Sequence, residues 1–243
     1  MHSIILCTPS NFLSFLIINH PPGVTFRTYF FTPPPFDMLA SILRASTSLS
    51  FTHFKAWSTQ YLLEMWSPAL GNLSKTRIPF AKESVLLARQ CPSIKPILKR
   101  ALYELVRADG LGQDDDDDTG RTDERKLLLK ARERLTSIWV TSAASLPSEF
   151  LTCSSKSAQE RAICITRDTK STNKAHAKLK PIFERYKWDP MCGFKALMEA
   201  PWREEGFCEA CIVLRKTIWQ NERQRCWTNL DQWFELDTEE NDH

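Results

Sequence analysis

The chain predicts an all-α fold, an irregular multi-helix bundle in two helical lobes joined by an acidic loop. Three observations carry this. Glycine is scarce, at seven of 243 residues, and long stretches between turns favour helices over a strand-and-turn architecture. From residue 36 onward, apolar residues recur every three or four positions, with no alternating strand pattern. Hydrophobic residues make up 42%, and eight Trp and fourteen Phe supply much buried area per residue, enough for a core.

The elements follow in order. Residues 1–35 combine apolar runs with Pro21-Pro22-Gly23 and Pro33-Pro34-Pro35, so they read as an irregular N-terminal arm. Met38, Leu39, Ile42 and Leu43 form the apolar face of a first helix. Phe51, Phe54, Trp57, Tyr61, Leu62 and Met65 form that of a second, which Pro68 stops. A loop over 67–79 leads to a third helix through Ala81, Val85, Leu86 and Ala88, ending near Cys91-Pro92. Ser93 is placed to cap a fourth, in which Ile94, Ile97, Leu98, Ala101, Leu102, Leu105 and Val106 follow helical spacing, with Pro96 in the first turn. These helices make up the lobe 36–107.

Residues 108–123 are an acidic linker with five adjacent aspartates at 114–118, which repel one another and solvate. A calcium loop would need alternating ligands and a glycine turn, and neither is there. The second lobe spans 124–236. Leu128, Ala131, Leu135, Ile138 and Trp139 build one helix, ending before Leu146-Pro147. A polar helix is predicted from about 156 through 180. Asp189-Pro190 fits a helix start, with Asp as cap and Pro in the first position, and Phe194, Leu197 and Met198 face inward. The last helix is predicted from about Glu205 to Phe234, anchored by Cys211, Leu214, Ile218, Trp227, Leu230, Trp233 and Phe234. Residues 237–243 are an acidic tail.

A net charge of +3 is too small to mark a nucleic-acid binder. Its distribution is uneven: eight Lys/Arg between Arg161 and Lys187 face only Asp168 and Glu184, while 231–243 hold six acidic residues and no Lys or Arg. The basic segment 161–187 reads as a solvated face, with nucleic-acid contact as the alternative. The apolar start has no preceding Lys or Arg, is broken by Pro9, Ser10 and Asn11, and is too short to span a bilayer. A reducing, intracellular compartment, nucleus or cytoplasm, is the expectation, without membrane attachment.

Eight cysteines stand at 7, 91, 153, 164, 192, 208, 211 and 226. A chain of this size does not need disulfides to hold a core. Cys208 and Cys211 form a C-x2-C hook, which puts two sulfurs on one tight turn. With Cys153 and Cys164 they make a candidate all-thiolate structural zinc site, with core packing or a disulfide as the other readings. Four cysteines can share that metal only if the 153–155 turn folds over the Cys208 turn. Cys7, Cys91, Cys192 and Cys226 have no partner spacing. His53 and His176 are isolated, and no G-x-S-x-G, Walker loop or G-x-G-x-x-G occurs. No catalytic residue and no cofactor besides zinc is predicted.

With the helices placed, a resemblance emerges. AKESVLLAR at 81–89 and ILKRALYELVR at 97–107 resemble the BACK-like helical region that follows the BTB/POZ domain in fungal BTB proteins. ARERL at 131–135, Asp189-Pro190, Trp202, GFCEAC at 206–211, Arg215, Trp219 and WTNLDQWF at 227–234 resemble the C-terminal half of the same family. A BTB domain of mixed strands and helices would precede this region, and residues 1–35 lack its pattern. The chain therefore reads as a truncated member, with 1–35 as arm or remnant. The resemblance implies a non-enzymatic adaptor that recruits protein partners, the partner being unidentified.

Overall fold

A computed structural model describes residues 34–111, 122–144 and 150–236 of the chain. The arm up to residue 33, Cys7, the aspartates at 114–118, Leu146-Pro147 and the tail 237–243 lie outside the described residues. The described residues form helices and no strand, so the fold is all-α. None of their helices is long and apolar enough to cross a membrane. Two compact units divide at 61/62, inside the second helix, rather than at the acidic stretch.

The first unit holds helix α1 (Phe36–Ser48) and most of α2 (Thr52–Met65). α1 buries Phe36, Leu39, Ala40, Ile42 and Leu43, the face that its spacing predicts. Phe51, Phe54, Trp57 and Tyr61 are only half-buried, and the Trp57 and Tyr61 rings meet edge-on at 5.2 Å.

The second unit begins at Leu62. α3 (Ala81–Gln90) packs on α4 (Leu98–Val106). Ser93 does not cap α4. Residues Pro92–Ile97 form a 3-10 segment instead, because Pro96 offers no N–H to an α-turn. α5 (Thr122–Trp139) packs on α4 from the far side of the acidic stretch. Arg132 of α5 donates to the Val106 carbonyl at 2.8 Å and to that of Ala108, where orphan helix-end carbonyls want a cation.

The expected polar helix over 156–180 is broken. It becomes α6 (Ala158–Ile163), a 3-10 turn at Ile165–Arg167 and α7 (Thr169–Ala177), followed by α8 (Lys180–Arg185). Ser157 caps α6 and Asp168 caps α7, taking the Lys170 and Ser171 N–H groups, so the interruption is written in two capping residues. α9 (Pro190–Met198) starts at Asp189, whose side chain accepts from Cys192 N at 3.3 Å. α9 lies along α10 (Glu209–Trp233), which begins four residues later than predicted because Gly206, at φ 89°, turns the chain first.

Buried charge marks this core. Glu104 is fully buried and takes Arg100 Nη2 at 3.0 Å and Arg107 Nη2 at 2.6 Å. Arg107 continues to Asp189 at 2.6 Å, and Asp189 also accepts from the Tyr103 hydroxyl at 2.6 Å. Buried charges persist only when paired, and Arg100, Glu104, Arg107 and Asp189 are paired with one another, although Arg100 Nη1 has no hydrogen-bond partner; the chain of pairs ties α4 to the start of α9.

Trp139 fixes the approach of α5 to α9. Its ring meets Phe183 at 5.8 Å and Phe194 at 5.2 Å, both edge-on. It lies over Gly193, where a Cβ would come within 2.5 Å of the ring. Gly193→Ala is expected to cost about 1–3 kcal/mol through overpacking in urea unfolding, and Lys195→Ala, exposed on the same helix, no more than about 0.5 kcal/mol. Equal effects of the two would refute the close approach.

Candidate metal centre

Three separate pieces of chain bring the predicted cysteines together. Cys153 lies in the extended segment before α6. Cys164 ends α6 with φ −70° and ψ 133°, so it sits in the break of the expected helix rather than within a helix. Cys208 is the N-cap of α10 at φ −71° and ψ 162°, and Cys211 lies in the first turn. The Ile165 N–H donates to the Gly206 carbonyl at 3.0 Å and clasps the break to the hook. Gly206 is needed there for its positive φ.

The four sulfurs lie within 4.8 Å of one another. Cys153 and Cys208 are 3.6 Å apart, Cys164 and Cys211 3.8 Å, and Cys153 and Cys211 3.8 Å. Four sulfurs each bonded to zinc at about 2.3 Å would stand about 3.8 Å from one another at the corners of a tetrahedron. The cluster therefore has the dimensions of a tetrathiolate centre. All four are free thiols in the structure, so the disulfide reading is not the one adopted.

Backbone N–H groups converge on the sulfurs. Ser154 N donates to Cys211 at 3.4 Å, which places the 153–155 turn over the hook. Cys208 N donates to Cys164 at 3.5 Å, and the Thr166 hydroxyl lies 3.1 Å from the same sulfur. Burial pushes the Cys164 thiol up, but these bonds and the Thr166 N–H outweigh it and hold it at about 6. Burial and the neighbouring sulfurs push Cys208 up to about 12, against the Cys211 N–H. Burial also raises Cys153. Four crowded sulfurs ionise together only beside a cation, and donors aimed at sulfur are the outer shell that such a centre uses.

The wall behind the cluster is aromatic. Phe150, Trp202, Phe207 and Trp219 are buried there, with Trp202 and Trp219 at 5.2 Å. Within it lie two groups that the sequence pattern did not mark as inward-facing. Arg215 is fully buried on α10, and His176 is buried against Trp202 at 5.2 Å. Along α10, Arg215 and Arg223 face inward beside the expected Cys211, Trp227 and Leu230 and with Trp219, whereas the expected anchors Leu214, Ile218 and Trp233 are half-buried. The other predicted cysteines fall as read from the sequence, with Cys91, Cys192 and Cys226 buried away from any sulfur partner. His53 is exposed.

No family model, curated protein or solved structure matches the chain.

Burial and the Arg215 cation hold His176 down to about 4, against an ordinary 6.5. The folded protein thus favours neutral His176. The associated stability is present above pH 6.5 and is lost as pH falls from there through about 4, with a slope approaching about 1.4 kcal/mol per pH unit. Urea unfolding of the wild type and His176→Gln over this window isolates that slope, because acid protonation of the cysteines is common to both. Parallel stability curves would contradict the buried neutral imidazole.

Proposed function

We propose that the 62–243 unit is a zinc-stapled helical module that presents a protein-interaction surface and has no catalytic role. The observation that carries the metal is the closure of Cys153, Cys164, Cys208 and Cys211 to zinc–thiolate dimensions. Four sulfur ligands fill a tetrahedron and leave no position for substrate or activated water, so the metal's role is structural. It would fix the start of α10 to the break after α6. The adaptor role rests on the resemblance to the helical region behind the BTB/POZ domain of fungal proteins.

Metal analysis of the purified protein is expected to give one zinc per chain, with a lower melting temperature after chelation. Cys208→Ser should lose the metal and several kcal/mol, since metal-binding energy is folding energy. Cys226→Ala, buried elsewhere, should keep the metal and cost about 1 kcal/mol. Zinc far below one equivalent, with unchanged melting after chelation, would overturn the reading.

A nucleic-acid role has one observation in its favour: Lys170 and Lys174 are exposed one turn apart on α7, beside exposed Arg167. Lys178, on the same face, is engaged with Glu205 at 2.7 Å. Electrophoretic shift at low and moderate salt separates the two readings. Salt-sensitive binding abolished by replacing Lys170 and Lys174 would favour nucleic acid over the adaptor.

A further inference from the structure

Arg215 is the least expected side chain in the molecule. It is fully buried, yet no carboxylate lies within ion-pair distance of it among the described residues. Nη1 donates to the Cys211 carbonyl at 3.2 Å and Nη2 to the Phe150 carbonyl at 3.0 Å, while Nε has no partner. The guanidinium stacks on Phe207 at 4.1 Å, Phe150 at 4.5 Å and Trp202 at 5.6 Å. Rings and two carbonyls support a cation but do not neutralise it, and an unpaired buried charge is costly. The buried arginines Arg100 and Arg107 have carboxylate partners in Glu104 and Asp189. Burial pushes the Arg215 guanidinium below its ordinary range, and the groups that act against this are the Cys211, Cys164 and Cys208 thiols in their ionised form.

We propose that Arg215 is the internal counterion of the four-sulfur centre and sets the charge that the centre holds. The inference rests on the metal reading above. Four thiolates around a divalent metal carry a charge of 2−, in a site where Cys164 and Cys211 are buried. Cys153 and Cys208 are half-buried, so water screens that charge only in part, and Arg215, one helical turn from Cys211, supplies a compensating cation on the buried side. The dependence is mutual. The anionic centre balances the guanidinium, and the guanidinium favours the fully ionised, metal-bound sulfurs. Arg215 is a positioning residue for charge and not a ligand.

The test uses the full chain with three substitutions. Arg215→Met and Arg215→Gln remove the charge, and Arg215→Lys keeps it. Zinc affinity is measured by chelator competition. Iron, which also takes tetrahedral sulfur sites, serves as a probe of charge through its reduction potential. Changing a partner beyond the ligands typically weakens metal binding about 10–100-fold, and that loss is expected for the two neutral variants. Their iron-loaded forms should also have lower potentials, because the reduced centre carries the extra negative charge. Arg215→Lys should remain close to the wild type in both. Neutral variants with wild-type affinity and potential overturn the proposal. So does an equal loss in all three, including a common failure to fold, since a loss indifferent to charge marks a packing role. A wild type that takes up no metal overturns the zinc reading itself, and this inference with it.

Discussion

Four arginines, Arg100, Arg107, Arg215 and Arg223, lie within the packed interior of the 62–243 unit, and each has to be satisfied without bulk water. The unit is arranged around the ways in which this is done. Arg100 and Arg107 share Glu104, and Arg107 reaches on to Asp189, so α4 and α9 are held at a fixed separation by charge as well as by packing. Arg107 also donates to the Ser74 and Thr76 carbonyls and holds that loop in place. Arg223 uses hydrogen bonds alone, to the Met191 carbonyl at 2.9 Å and the Leu70 carbonyl at 3.1 Å. Arg215 faces the sulfurs. α10 therefore carries two cations on its buried side, met by the Phe150, Met191 and Leu70 carbonyls and by the rings of Phe150, Trp202 and Phe207.

The cysteine cluster depends on a small local event, the break in the chain after Ile163. A continuous helix through 164 would send the Cys164 side chain around the helix axis and would leave no room for the Ile165 N–H to reach Gly206. Two capping residues prevent this. Ser157 starts α6 and Asp168 starts α7, and between them Cys164 is extended and turned toward the hook. Arg161 donates to the Ser155 and Lys156 carbonyls at 3.0 and 2.8 Å, so the segment that carries Cys153 is fastened to the same short helix. The hook supplies two sulfurs on one turn, and the broken helix supplies the other two from its two ends.

Much of this was legible in the sequence, and the parts that were not share a physical cause. The C-x2-C spacing and the Asp189-Pro190 start are local signals, fixed by chemistry within four residues, and both describe what the structure contains. The all-α class was legible because it sums many weak periodic signals. Periodicity failed where it assumed that charge faces water. It put Leu214 and Ile218 on the inner face of α10, whereas Arg215 and Arg223 occupy that face beside the expected Cys211, Trp227 and Leu230. It passed over Arg100 and Glu104 on α4 for the same reason. The polar run 156–180 looked continuous because Ser157 and Asp168 are unremarkable beside seven lysines and arginines, and only their cap hydrogen bonds show them to be starts. The hydrogen bond from the Ile165 N–H to the Gly206 carbonyl spans 41 residues, a distance at which a single sequence has no local signal to offer.

The two kinds of buried charge also differ in what they require from outside the chain. In the Arg100–Glu104–Arg107–Asp189 cluster each cation has a carboxylate from the chain itself, although Arg100 Nη1 is left without a hydrogen-bond partner. On the zinc reading the Arg215 site would be completed by the sulfurs ionised together, and four adjacent thiolates would require a cation of their own. One end of α10 is thus held by residues alone, through Trp227 on the Pro68 carbonyl and Lys99 on Asp231, and the other, on the zinc reading, would be held by residues together with a metal. Because α10 is a single uninterrupted helix of 25 residues, both ends share one rigid body. Loss of the metal would then free the segments that carry Cys153 and Cys164 before it disturbed the α4–α9 core, and availability of the metal would govern the order of one end of the unit independently of the other.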